Sequence, residues 1–259
     1  MTYIILSHRG DRLGSQLHNY ILQIIYAYHH NYSIQYEPNL PYTNNKFMKH
    51  ILDFVDKYNK TFTDLCTEVH SEHIFHVAIK TVFALECDAY TYFKKHIWKP
   101  SGIPSKTILV HLRLEDVKHR PDYDGQISSD YYQTNMNNGV NIGLVPELDH
   151  CNICGPLSYE KIQVQINNAR EKYPTYEVII VTSPGENHVL PYRYIQSKDP
   201  VDDLSLLCNS EVVILSRSTF ALASLFFGIQ KEVYVPLWGF AVSNGLYTKY
   251  DHCKYNYFF

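Results

Sequence analysis

Apolar and polar positions alternate along this chain in two rhythms, one of strands and one of helices. Tyr3 to Leu6 form a short apolar run that meets the loop His8-Arg9-Gly10-Asp11-Arg12-Leu13-Gly14. Beyond it Leu17, Tyr20, Ile21, Ile24, Ile25 and Tyr28 recur at the three- and four-residue spacing of one helix face. The order is strand, glycine-containing loop, helix. Ser33 to Tyr36 reads as a second strand, ended by the Pro38 to Pro41 region. Lys46 to Tyr58 and Phe75 to Lys95 read as further helices. The stretch Lys99-Pro100-Ser101-Gly102-Ile103-Pro104 then interrupts any element, because proline removes a backbone donor and fixes φ. It sets the expected domain boundary, giving domains 1–103 and 104–259.

The same rhythms resume after the break. Thr107 to His111 is a buried strand, β-branched and almost wholly apolar. Glu115 to Gly155 is polar, rich in Asn and Asp and poorly periodic, as long functional loops are. Ser158 to Lys172 reads as a helix with Ile162, Ile166 and Ala169 on one face. Val178 to Val181 is a strand that leads into the turn Ser183-Pro184-Gly185. Asp202-Asp203 are expected to cap a helix carrying Leu204, Leu206 and Leu207. Glu211 to Leu215 is a strand, Ser216-Arg217-Ser218-Thr219 opens the helix Phe220 to Phe227, Gly228 ends it, and Val233 to Val235 is a last strand. Strands alternating with helices on both sides of the break predict two α/β domains with parallel sheets.

Composition narrows the function classes. At 259 residues the chain is long enough for a sizeable core. With 45% apolar and 19% charged residues it is neither collagen-like, disordered nor a disulfide scaffold. A formal charge of −3 gives no bulk basic field, so nucleic acid is not an expected partner. No apolar run approaches the ~18 residues of a transmembrane helix. The N-terminus lacks the pattern of a signal peptide, and Cys66, Cys87, Cys151, Cys154, Cys208 and Cys253 are thinly spread. A cytoplasmic protein with reduced thiols is the expectation.

Four places could carry chemistry. Arg12-Leu13-Gly14-Ser15-Gln16 lies where a strand turns into a helix, whose free N–H groups suit an anion or a polar sugar. The same spacing fits a plain strand–helix turn. His111-Leu112-Arg113-Leu114-Glu115-Asp116 leaves the carboxyl end of a buried strand, where ligands of open α/β sheets bind. Arg113 offers a permanently charged fork there, or pairs with Glu115 or Asp116. Ser216 to Phe220 could cradle a phosphate at a helix start, and Asp203 could accept hydrogen bonds from a base edge; both also fit simple capping. Cys151-Asn152-Ile153-Cys154 is half a zinc site, but two loop thiols explain it more simply, and no metal is expected. No G-x-G-x-x-G, Walker A or G-x-S-x-G sequence occurs.

Taken together, three ordered segments resemble the fucosyltransferase superfamily of GT-B type. They are Arg12-Leu13-Gly14-Ser15-Gln16, His111-Leu112-Arg113-Leu114-Glu115-Asp116, and Asp203-Leu204 with Ser216-Arg217-Ser218-Thr219-Phe220. The resemblance implies two Rossmann-like domains facing a cleft, with the nucleotide-sugar site on the C-terminal domain and the acceptor on the N-terminal side. It implies an inverting, metal-independent transferase that uses no cofactor and moves fucose from GDP-fucose to a glycan hydroxyl. By the same resemblance Arg113 would bind the β-phosphate, His111 would lie against the nucleotide, and Asp203 would read a guanine edge. Ser218 and Thr219 would hold the diphosphate, while Arg12, Gly14 and Gln16 would line the cleft from the first domain. The acceptor's base would come from loop carboxylates such as Glu115, Asp116, Asp122 or Asp124. Leu114 stands where many members carry a second Arg, and Ser15 replaces their Asn. Another donor such as UDP-xylose, or an inactive binding protein, therefore stays open. Arg113 and the helix mouth at Ser218 are expected to converge, across an interdomain crevice, on the same pyrophosphate.

Overall fold

The alternating apolar runs pair as parallel strands in the computed structural model, which describes residues 3–6, 13–37, 40, 45–59, 106–114, 156–236 and 253–258. The chain divides into two compact units, Met1–Ile97 and Trp98–Phe259. The expected Lys99 to Pro104 break, the Phe75 to Lys95 helix and the Glu115 to Gly155 loop lie outside the described residues.

In the first unit β1 (Tyr3–Leu6) pairs in parallel with β2 (Ser33–Tyr36), joined by helix α1 (Leu13–His30) and followed by α2 (Lys46–Asn59). The register runs from Tyr3 opposite Ser33 to Leu6 opposite Tyr36. Leu17, Tyr20, Ile21 and Ile24 are buried as their helical spacing requires. Asn31 takes a left-handed φ of 54° at the end of α1, and the Tyr32 amide reaches back to the Ala27 carbonyl at 2.8 Å. Asn tolerates that conformation, which lets α1 stop and β2 begin within three residues. The last residue of α2, Asn59, bonds both main-chain groups of Ile34: its Oδ1 accepts from the Ile34 amide at 2.9 Å and its Nδ2 donates to the Ile34 carbonyl. The side chain thereby stands in for a neighbouring strand.

The second unit holds a six-stranded, all-parallel sheet in the order β5-β4-β3-β6-β7-β8. Its strands are β3 (Thr107–Leu112), β4 (Glu177–Thr182), β5 (Arg193–Ile195), β6 (Val212–Ile214), β7 (Glu232–Pro236) and β8 (Lys254–Phe258). Its described helices are α3 (Tyr159–Lys172), α4 (Pro200–Asn209) and α5 (Thr219–Phe227). The chain enters at the middle strand β3 and winds out to β5. It then returns to β6 on the other side of β3 and winds out to β8. This is the doubly wound, Rossmann-like order, and its reversal lies between β3 and β6.

Alternation along β3 assigns its two faces. Ile108, Val110 and Leu112 join Val178, Ile180, Val212 and Ile214 in a core closed by Ile162, Ile166 and Ala169 of α3. The buried Leu204 and Leu207 of α4 and Leu222 of α5 stand outside that cluster, and α4 packs along α5. Ser158 caps α3 by accepting from the Lys161 amide at 3.3 Å. Ser183-Pro184-Gly185-Glu186 closes with a 3.3 Å bond from the Glu186 amide to the Ser183 carbonyl, and Gly185 has the φ of +81° that such a Pro-Gly turn demands. Gly228 ends α5 as expected, but for a packing reason: a methyl group there would overlap the Gln230 carboxamide. That carboxamide donates to the Leu207 and Ser224 carbonyls and so satisfies the ends of α4 and α5.

One expectation is corrected. Asp202-Asp203 do not cap α4. Asp199 does, accepting from the Val201 amide at 2.8 Å, with Pro200 at the first helical position. Proline at that position wastes no hydrogen bond, so the helix begins earlier and carries Asp202 and Asp203 in its first turn. No helix among the described residues is long and apolar enough to cross a membrane.

Candidate functional site

All the strands of the larger sheet are parallel, so β3 and β6 end at one rim, and α4 and α5 both start from it. β3 delivers His111, then Arg113, to that rim on the face opposite α3. His111 Nδ1 lies 2.6 Å from Ser216 Oγ, and its ring meets Phe220 of α5 with centroids 5.8 Å apart. Burial pushes the imidazole down to about 3, and the nearby Arg113 charge adds to the effect. A neutral ring therefore holds this bond throughout the physiological range. Two residues on, Arg113 Nη1 donates to the Arg217 carbonyl at 3.0 Å. The loop from β6 to α5 is thus tied to the end of β3 at two successive residues.

Within that loop Ser216, Arg217 and Ser218 are all buried, whereas Arg113 is half-buried. Ser218 Oγ accepts from the Ala221 amide at 3.4 Å and so caps α5, and its own amide donates to the Ser216 carbonyl at 2.8 Å. Thr219 begins the helix. The Arg113 guanidinium and the positive end of α5 belong to one corner of the rim. Charges and dipoles held that way favour an anion without having to reorganise when it arrives.

Asp203 sits in the first turn of α4, whose start lies beside that of α5 because the two helices pack together and run away from the same rim. The residue is 8% exposed, and its Oδ1 has no hydrogen-bond partner among the described residues. Burial pushes its carboxyl up to about 6; hydrogen bonds from Ser197 oppose the rise, and the charges of Asp202 and Asp199 reinforce it. A buried acceptor left unpaired is costly.

The expected site residues thus divide into three groups. His111, Arg113, Ser218 and Thr219 come together at the point where the strand order reverses, and Asp203 shares their rim. Gly14 and Gln16 lie in the other unit, in the first turn of α1, where Gln16 is fully buried. Arg12, Glu115, Asp116, Asp122, Asp124, Cys151 and Cys154 lie outside the described residues. One expectation changes: Arg113 and the α5 mouth meet by direct hydrogen bonding within a single unit, because β3 and β6 are neighbouring strands, and not across an interdomain crevice.

Sequence reasoning missed two polar features of this rim. The first is the pairing of His111 with Ser216, 105 residues apart, signalled only by a polar residue near the end of each of two apolar strands. The second lies on the α3 face of the sheet: Thr182, the last residue of β4, 1% exposed and with no partner for its Oγ1 among the described residues. Among the described residues no three His, Cys, Asp or Glu side chains gather into a metal-binding group. No family model, no curated protein and no solved structure matches the chain.

Proposed function

We infer that this protein is an inverting, metal-independent glycosyltransferase that moves a sugar, fucose by preference, from a nucleoside diphosphate donor to a glycan hydroxyl. Its two α/β units would face each other in the GT-B manner. The observation that carries the reading is Arg113, tied to the β6–α5 loop where the strand order reverses. Open α/β sheets bind nucleotides at that point.

In this reaction the acceptor oxygen attacks the anomeric carbon from the side opposite the diphosphate. The carbon–oxygen bond to the diphosphate breaks, and its electron pair leaves with the β-phosphate. Arg113 and the start of α5 would meet the charge that grows there, which is the largest single service a site can render to such a leaving group. The acceptor proton would pass to a carboxylate, with Glu115 and Asp116 the nearest in sequence to Arg113. No metal is called for, since the guanidinium supplies the positive charge.

Asp203 favours guanine over uracil. Guanine presents adjacent ring N–H and amino donors to one carboxylate, whereas uracil presents a single N–H. The unpaired Oδ1 of Asp203 is an acceptor of the required kind. A GDP-sugar is therefore the first donor to test and UDP-xylose the second. Titration of GDP, UDP and their sugars into the protein decides the reading: GDP binding with turnover of GDP-fucose supports it. Equal silence for every nucleotide overturns it.

A further inference from the structure

The rim has a second place, on the other face of β3. Leu112 points into the α3-side core, and Leu114 packs against that core two residues later, while His111 and Arg113 serve the α5 side. On the α3 side a cleft of about 360 Å³ opens, whose lining includes Leu114, Leu157, Tyr159, Glu160, Glu186 and Asn187. That volume falls within the range of small-molecule sites. Among the described residues the lining offers two carboxylates, an amide and the apolar side chains of Leu114 and Leu157. Carboxylates repel a phosphate, which the Arg113 side attracts.

The walls are firmly placed. Glu186 closes the Ser183–Glu186 turn, and its carbonyl accepts from Gln196 Nε2 at 2.6 Å. Tyr159 opens α3 and packs on the core. Burial raises its phenol, and the Glu186 charge raises it further, so it stays a neutral donor. Thr182 immediately precedes the turn. Its pairing with Leu112 puts it on the α3 face of the sheet, with a buried hydroxyl that has no hydrogen-bond partner among the described residues.

We propose that this cleft is a saccharide subsite: it takes a neutral polyhydroxyl ring, with Tyr159 and Leu114 against the ring's carbon face and Glu186 accepting from its hydroxyls. Carboxylates and amides pair with sugar O–H groups, and an aromatic ring covers the less polar C–H surface. The assignment deepens the transferase reading, on which it rests for its place in a reaction. The ring has two sources, the acceptor glycan or the ribose of the nucleotide, and their shared chemistry is what the cleft recognises.

The test is calorimetric titration of the wild type, Glu186→Gln and Tyr159→Ala with two sets of probes. One set is the methyl glycosides of fucose, galactose, xylose and N-acetylglucosamine; the other is guanosine and uridine. Removing one charged acceptor is expected to weaken the ligand of the cleft about tenfold. A loss confined to methyl glycosides identifies the acceptor, and a loss confined to nucleosides identifies the ribose; either supports the subsite. Affinities that stay within about twofold in both variants overturn it, as does a wild type that binds neither set. Glu186→Gln changes only a partly exposed side chain on a turn, so it reports even if Tyr159→Ala folds poorly. GDP titrated into Arg113→Ala is the separate control. Its outcome decides the transferase reading without deciding the cleft.

Discussion

His111 and Asp203 are two buried titratable groups at one rim, and their effects on stability have opposite signs. The folded His111 has its affinity for a proton lowered to about 3, against 6.5 in an unfolded chain. Between those values the unfolded state binds more protons, so stability falls as pH drops, by up to about 1.4 kcal/mol per pH unit. Asp203, raised to about 6 from 3.8, binds more protons when folded, so its contribution is full below 3.8 and is lost as pH rises through 6. Denaturant unfolding of His111→Asn from pH 7 to 4 should show a shallower acid loss than the wild type, because Asn can bond Ser216 and cannot charge. An unchanged slope would mean that His111 titrates freely. Asp203→Asn should gain about 1 kcal/mol at pH 7, after allowing for solvent screening, while it weakens GDP at least tenfold. In the wild type GDP affinity should fall as pH is lowered below about 6, because a protonated carboxyl offers the base one acceptor fewer. Affinity that is flat from pH 7 to 5 would take Asp203 out of base recognition.

At the scale of elements, the buried strands and the starts of α3 and α5 were legible because each follows from a short local rule, whereas the start of α4 was not, since Asp199 and not Asp202-Asp203 caps it. Thr107 to His111 is apolar throughout and became β3, and Ser158 and Ser218 cap the helices they precede. β5 escaped because Arg193-Tyr194-Ile195 is a three-residue edge strand, two of whose residues are exposed, so neither alternation nor an apolar run marks it. β8 escaped because only Phe258 of its five residues is buried. What anchors β8 is a polar contact far away in sequence. Glu232, at the start of β7, accepts from Lys172 Nζ at 2.5 Å, from Tyr173 Oη at 2.9 Å and from Asn256 Nδ2 at 2.8 Å. Burial opposes its ionisation, but these three donors together with Tyr234 prevail and hold the carboxyl below its usual value. Glu232→Ala should cost about 2 kcal/mol in denaturant unfolding, since it strands three donors at once and one partner is solvent-exposed. A change under about 0.5 kcal/mol would show the cluster to be ornamental. Gly228→Ala should cost about 1–3 kcal/mol by displacing the Gln230 carboxamide that closes α4 and α5.

At the scale of the molecule, the described residues form a parallel β-α-β-α segment in the first unit and a doubly wound sheet in the second. Strand–helix alternation foretold parallel sheets, but not the strand order, since the return from β5 to β6 leaves no local mark. That return is what makes neighbours of two strands far apart in sequence and assembles His111, Arg113 and Ser216 to Ser218. Arg113 could be singled out because an arginine ending an apolar strand is conspicuous. Its partner could not, because the bond goes to a main-chain carbonyl, which every residue carries. The same fork that fixes the loop is the group asked to bind a diphosphate, and the most direct test weighs that claim alone. Calorimetric titration of GDP into the wild type and Arg113→Ala should show saturable one-to-one binding that falls at least about thirtyfold in the variant, the loss of a charged hydrogen bond in a partly buried place. Equal affinity in the two proteins, or no GDP binding by the wild type, would contradict the account.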